Sequence, residues 1–258
     1  MKPDDNNSAT NIPLYGLVGF PLGHSFSEAF FAEKFRRERI NAEYRNFEIA
    51  DVSELTTILS STPALRGFNV TIPYKQQVMP LLNEIDAVAA EVGAVNVVKV
   101  SRDGDWKPTL RGYNSDVVGF EQSLKPLLKP WHKRALILGT GGASKAVAFV
   151  LGKLGIDYVK VSRTAAPGRL VYSDLSAEIM AECTLIVNTT PLGMSPKVEV
   201  CPDLPYEYMT TRHLCYDLIY NPATTMFLRL SSAQGAAIKN GLEMLELQAL
   251  ESWRIWNK

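Results

Sequence analysis

Short apolar runs alternate with amphipathic stretches along most of the chain. Leu14 to Val18 reads as a strand, Glu28 to Arg39 as a helix, Tyr44 to Ile49 as a strand, Ser53 to Leu59 as a short helix and Gly67 to Ile72 as a strand. Pro73 suits the first turn of a further helix, an Ala-rich helix is expected from Asp86 to Glu91, and Gly93 to Val100 reads as a strand interrupted by Asn96. Arg102 to Asp105 has hairpin-turn chemistry, and Leu110 to Asp116 leads into a helix with Val117, Phe120, Leu124 and Leu128 on one face. Beyond the polar link from Lys129 to Arg134, strands are expected at Ala135 to Leu138, Ile156 to Val161, Leu185 to Gly193, Leu214 to Ile219 and Ala236 to Lys239. Ala165 to Arg169 reads as a loop and Thr225 to Ser232 as a helix, and the closing helix, Leu242 to Trp256, carries Leu245, Ala249, Trp253 and Trp256 on one face. The alternation predicts an α/β fold in two domains, with the boundary near Tyr113 to Asp116.

The stretch from Ala135 to Phe149 carries the strongest local signal, an apolar strand that breaks at Gly139, Thr140, Gly141 and Gly142 and resumes as a helix through Ala143 and Ser144. Glycines let backbone approach a ligand, and the first turn of a helix favours an anion such as pyrophosphate. Ser144 stands where a strict dinucleotide motif has its third glycine. The next strand ends in Ser162, Arg163 and Thr164 rather than in the acidic residue that would hold a ribose of NAD. An arginine fork flanked by hydroxyls suits a 2′-phosphate, so NADP is the expected cofactor.

Composition narrows the classes. The 258 residues hold 27 Lys and Arg against 27 Asp and Glu, so no excess positive field draws the chain to nucleic acid or an anionic membrane. Cys183, Cys201 and Cys215 form no CxxC pair, and His24, His132 and His213 lack metal-ligand spacing. With an opening segment that lacks a leader's apolar core, reduced thiols in the cytoplasm and a frayed polar terminus are expected.

Several polar residues sit against local preference. Ser25 and Glu28 have capping-box spacing, which leaves Ser27 as a second hydroxyl at a helix start, a good seat for a carboxylate. Lys75 would fall near the positive end of the helix opened by Pro73, where a cation is disfavoured by up to about 1 kcal/mol. Asn96 needs partners in its strand, and Asn114, Ser115 and Asp116 supply three capping candidates where one suffices.

Together these stretches resemble the shikimate dehydrogenases over nearly the whole chain. The resemblance is carried by Gly19 to Ser27, Asn69 to Lys75, Gly93 to Asn96, Asn114 to Asp116, Gly139 to Ser144, Ser162 to Thr164, Tyr216 to Pro222, and Gly241 to Leu245 with Gln248. Three positions depart from the family pattern: Glu28 where proline is usual, Ser162 for a common asparagine, and Pro167 where a second basic residue often stands. The resemblance implies a substrate domain over 1–113, with 238–258 folding back onto it, and a Rossmann-like NADP-binding domain over 114–237.

It further implies an NADP-dependent oxidoreductase of aromatic amino acid and chorismate biosynthesis that reversibly reduces 3-dehydroshikimate to shikimate. Lys75 and Asp116 would be catalytic. Ser25, Ser27 and Tyr220 would hold the substrate carboxylate, and Thr71, Asn96, Asp116 and Gln248 would read its hydroxyls. NADP would contact Gly139, Thr140, Gly141, Gly142, Ala143, Ser144, Ser162, Arg163, Thr164, Leu218 and Gly241. No metal, nucleic acid or membrane is expected, and the chain would be a monomer or homodimer. The rival readings are a quinate/shikimate dehydrogenase using NAD and a catalytically silent nucleotide-binding sensor. A methylenetetrahydrofolate dehydrogenase would share the two-domain plan but lacks the paired seryl motif.

Overall fold

The structure, a computed structural model, describes residues 12–23, 26–102 and 108–258. The polar start, Ser25 and the Asp103 to Asp105 turn lie outside the described residues. The described residues up to Asn114, with Ser252–Lys258, form one compact unit, and Ser115–Glu251 form the other.

The first unit contains β1 (Leu14–Gly19), α1 (Phe26–Glu38), β2 (Glu43–Glu48), α2 (Leu55–Ser61), β3 (Leu65–Val70), β4 (Glu84–Ile85), α3 (Ala87–Val92), β5 (Val97–Ser101) and β6 (Thr109–Tyr113). The second contains α4 (Asp116–Leu124), β7 (Arg134–Leu138), α5 (Gly142–Lys153), β8 (Asp157–Ser162), β9 (Arg169–Val171), α6 (Ala177–Glu182), β10 (Leu185–Asn188), β11 (Leu214–Asp217), α7 (Met226–Ala233) and β12 (Ala237–Lys239). The last helix, α8 (Leu242–Trp256), gives Leu242 to Glu251 to the second unit and its final turn to the first. Thus the part of the chain that clusters with the first unit is shorter than 238–258. The reason is visible at Gly119 of α4, where a Cβ would lie 2.5 Å from Met244 O, so the first turns of α8 are seated on α4.

The first sheet runs β2-β1-β3-β5-β6-β4, with β1, β2 and β3 parallel and β5 antiparallel to both β3 and β6. All six residues of β1 are buried, so both faces of the strand carry core. On one face Leu14 and Val18 join Phe68, Val70, Val98 and Val100. On the other, Tyr15 stacks on Trp256 at 4.8 Å and meets Trp253 edge-on at 5.2 Å, while Phe31 of α1 stacks on Tyr44 at 4.6 Å. Gly67 makes this possible, because a Cβ there would fall 2.3 Å from the Trp256 ring. The indole lies in that notch and donates from Nε1 to Val98 O at 3.0 Å.

The second sheet runs β12-β11-β10-β7-β8-β9 and is parallel throughout. This is a doubly wound order whose direction reverses between β7 and β10, the place where such sheets bind nucleotides. Ala135 to Leu138 and Leu185 to Val187 are all 0% exposed, as strands covered on both faces require.

Helix ends follow their caps. Asp86 accepts from Val88 N and Gly93 closes α3 at φ +67°, Thr225 accepts from Leu228 N at the start of α7, and Asp51 with Glu54 forms a capping box ahead of α2. Three expectations are corrected, and two short elements are added. Pro73 opens a run of turns rather than a helix, since Pro80, which cannot donate and restricts the residue before it, leaves too short a span for a helical ladder. Asn96 lies before β5, not within it, because Gly93 takes the left-handed conformation that ends α3. Strand β9 and helix α6 had no expected counterpart, being three and six residues long. The buried stripe of α8 is Met244, Ala249, Ser252, Ile255 and Trp256, with Leu245 and Trp253 only half-buried.

Trp256→Ala should empty the Gly67 notch and cost about 3–5 kcal/mol in urea unfolding of the full chain; a loss under about 1 kcal/mol would show that the aromatic cluster is not the keystone of this face.

Candidate active site

In the first unit the parallel strands β1 and β3 end where the antiparallel β5 begins and β6 ends, with Asn69 opposite Val97 and Val97 opposite Tyr113. That sheet edge collects the candidates. Thr71 follows β3, its N–H donating to Val18 O at 2.9 Å and its carbonyl accepting from Tyr74 N. Lys75 is half-buried in the ensuing turn, and its carbonyl accepts from Val95 N at 2.8 Å, which ties the lysine to the Asn96 segment. Asn96 is buried, with its N–H on Tyr113 O and its carbonyl accepting from Val70 N. Because no helix begins at Pro73, the dipole argument against Lys75 falls, and its place rests on these strand-end bonds.

Asn69 was read only as part of a motif, yet it is the hub of this edge. Its Oδ1 accepts from the Tyr44 hydroxyl at 2.9 Å, and its Nδ2 donates to Ser252 Oγ at 2.8 Å and Asn96 O at 3.3 Å. Tyr44 also shares a hydrogen bond with Ser27, the second residue of α1. Burial raises the phenol's pKa. Glu28 accepts from Asn46 Nδ2 at 2.7 Å.

In the second unit Asp116 is buried in the first turn of α4, where helix N–H groups favour a carboxylate. Ser115 takes the cap position with no capping hydrogen bond from its side chain to the helix, and Asn114, in the first unit, donates to Ala94 O. Gly119, on the same helical face as Asp116, was not singled out in the sequence. A Cβ there would also lie 3.2 Å from Gln248 Cβ, so this glycine brings Gln248 of α8 against α4.

The other candidates of this unit lie at the carboxyl ends of its strands. Gly139 N donates to Val161 O, Thr189 N to Leu138 O, Leu218 N to Asn188 O and Gly241 N to Ile219 O, all within 3.0 Å. These bonds join the ends of β8, β7, β10 and β11 to the start of α8. Gly139 has φ +103°, and a Cβ would fall 2.8 Å from Thr189 Oγ1. Gly241 is tighter still, with a Cβ only 2.0 Å from Leu218 O. A Cβ on Gly141 meets nothing within 4 Å, and no side chain caps α5, a helix of twelve residues. Open space before uncapped first-turn amides fits a dinucleotide pyrophosphate. Thr140 is exposed, while Gly142 and Ala143 are half-buried in the opening of α5. Ser144 is fully buried, with Oγ on Gly141 O at 2.7 Å, so its part is to hold the turn. Arg163 and Thr164 are exposed at the end of β8, and Ser162 Oγ donates to Thr164 O.

A family profile described as the shikimate dehydrogenase substrate binding domain matches residues 17–98. A shikimate dehydrogenase (NADP(+)) from Desulforamulus reducens is 37% identical, over 93% of this chain and 88% of its own. The chain belongs to the shikimate dehydrogenase family. The crystal structure of shikimate dehydrogenase from Aquifex aeolicus superposes with a TM-score of 0.83 at 35% identity, covering 96% of this chain and 93% of that one. Shikimate 5-dehydrogenase from Thermus thermophilus, solved with NADP(H) and shikimate, gives 0.82 at 30% identity, covering 95% and 93%. Its shikimate dehydrogenase relatives therefore match the chain across both units.

Two buried histidines serve local structure. His132 and His213 accept from the N–H of Lys129 and of Thr210 at 3.0 Å and close local turns. Among the described residues no cluster of three His, Cys, Asp or Glu side chains could hold a metal, and no helix is long and apolar enough to cross a membrane. Asp217 lies at the end of β11. It is 0% exposed, and burial pushes its carboxyl up to about 6, against hydrogen bonds from Thr225, Ile219 and Asn188 that favour the ionised form.

A carboxyl raised in the folded state stabilises it fully below the unfolded value of 3.8, and that contribution is lost as pH rises through about 6. Relative to Asp217→Asn, the natural chain should therefore lose up to about 3 kcal/mol of stability between acid and neutral pH. Denaturant melts across that range check this, and parallel profiles would refute it.

Proposed function

We propose that this chain reduces 3-dehydroshikimate reversibly to shikimate, with NADPH supplying the hydride when bound. The observation that carries the reading is positional. Each described candidate falls at a strand end, a helix start or a helix seated against one, and those of the first sheet are separate in kind from those of the second. Thr71, Lys75 and Asn96 are donors suited to a polyhydroxylated acid, whereas Gly139 to Ser144 with Arg163 suit a phosphorylated dinucleotide.

As hydride reaches the ketone carbon, negative charge grows on its oxygen, and the Lys75 ammonium donates the proton that completes the alcohol. In the reverse direction the same nitrogen takes the proton back. Asp116 accepts a hydrogen bond from a substrate hydroxyl and fixes the ring against rotation. Ser25, Ser27 and Tyr220 hold the carboxylate, and Thr71, Asn96 and Gln248 read the other hydroxyls, which rejects analogues that lack them. The Gly139 to Ser144 turn, Leu218 and Gly241 hold the dinucleotide. Arg163, with Ser162 and Thr164, takes the 2′-phosphate, the preference for NADP resting on this arginine. The balanced net charge and the free thiols of Cys183, Cys201 and Cys215 support a cytoplasmic enzyme that engages neither nucleic acid nor membrane, and the family resemblance implies a monomer or homodimer.

Lys75→Ala should lower kcat by about 10²-fold or more while KM for shikimate moves by less than about threefold. A rise confined to KM would remove the lysine from catalysis. Arg163→Ala should raise KM for NADP by about tenfold and leave that for NAD nearly unchanged. Equal use of NAD and NADP by the unmodified enzyme, with shikimate or with quinate, would overturn the cofactor assignment.

A further inference from the structure

Asp217, Asn188 and Thr225 are each 0% exposed, and none belongs to the ligand contacts or the proton transfer assigned above. An ionisable carboxyl is an expensive way to fill space, since an apolar side chain packs without desolvating a charge. What it offers here is convergence. One carboxylate oxygen accepts from Asn188 Nδ2 and from Ile219 N, both at 3.0 Å, and the other accepts from Thr225 Oγ1 at 2.6 Å. Three elements, β10, β11 and α7, thus close on a single group.

Each donor reaches onward. Asn188 Oδ1 accepts from Thr190 N at 3.0 Å and from Thr190 Oγ1 at 2.7 Å, which shapes the segment whose Thr189 lies against Gly139. Thr225 is the cap of α7. Ile219 stands in the middle of Leu218 to Tyr220, a strap whose amide at Leu218 is also held by Asn188 O and whose carbonyl at Leu218 is crowded by Gly241. No apolar residue at position 217 could satisfy the Ile219 N–H.

We infer that Asp217 is a positioning residue for both ligands: its carboxylate sets the course of the Leu218 to Tyr220 strap and, through Asn188, that of Thr189 and Thr190 beside the glycine turn. This rests on the assignment of Leu218 to NADP and Tyr220 to the substrate carboxylate. Lys75 is not on the strap, so loss of Asp217 should weaken binding of both ligands while turnover at saturation persists. A residue that served stability alone would lower the amount of folded enzyme and leave both KM values in place.

Initial rates of the full-length enzyme with shikimate and NADP, above neutral pH, test this. Asp217→Ala should raise both KM values about tenfold or more with kcat within about threefold, and Asp217→Asn, which keeps an acceptor for Ile219 and Asn188, should bring both back to within about threefold. Thr225→Val removes one donor with little change of shape and should raise both KM values by about threefold, which keeps the test open if Asp217→Ala does not fold. Unmoved KM values in the folded variants, or a loss confined to kcat, would overturn the inference alone. An unmodified enzyme that binds NADP but does not turn shikimate over would overturn the functional reading, and this inference with it.

Discussion

At Gly241 and Gly119 two stretches of backbone stand closer than any side chain would permit, at Gly139 a left-handed turn lies against the Thr189 and Thr190 side chains, and the candidate site depends on those approaches. Gly139 lets the first turn after β7 pass beneath Thr189, Gly241 lets the start of α8 rest on Leu218, and Gly119 lets α8 lie on α4 so that Gln248 reaches the helix of Asp116. At Gly241 and Gly119 the missing Cβ is a matter of clearance, and at Gly139 of clearance together with a backbone conformation that side chains rarely adopt. A methyl group at any of them would push apart elements that carry the proposed ligand contacts.

Around these approaches both units solve the same problem, that strand ends bring polar backbone and side chains out of water together. The first unit uses an amide, with Asn69 linking Tyr44, the Asn96 carbonyl and Ser252. The second uses a carboxylate, with Asp217 linking Asn188, Ile219 and Thr225. Asp217 is fully buried and Asn69 half-buried, and their partners place them beside proposed ligand contacts, Asn69 through Asn96 and Asp217 through Ile219, which lies between Leu218 and Tyr220. This is how a fold holds polar side chains in place without filling the space they must face.

Much of the fold was legible because the signals were local. Buried parallel strands are short unbroken apolar runs, and β7, β10 and β11 read as such, while Asp86 and Thr225 marked their helix starts. The turn at Pro73 was misread because a proline that suits a helix start says nothing of the second proline seven residues on. Asn96 was placed inside a strand because a left-handed glycine and a strand residue look alike in sequence. The glycine turn and Arg163 were visible for the same reason as the strands, since each is contiguous. What could not be read was the meeting of residues 188, 217 and 225, or of Gly119 with α8, because only the folded sheet and the seating of one helix on another bring them together. The polar ends of Leu185 to Thr190 and Leu214 to Asp217 were the available hint.

The last turn of α8 also makes the first unit depend on residues far along the chain. The second unit is a continuous stretch, Ser115 to Glu251, and its sheet is complete without that turn. Until Trp256 and Ser252 dock, the first unit has an unfilled notch at Gly67, and the Asn69 Nδ2 has the Asn96 carbonyl alone as acceptor. The unit that begins the chain therefore closes only with residues that follow the whole of the other, and until they dock its aromatic face is uncovered.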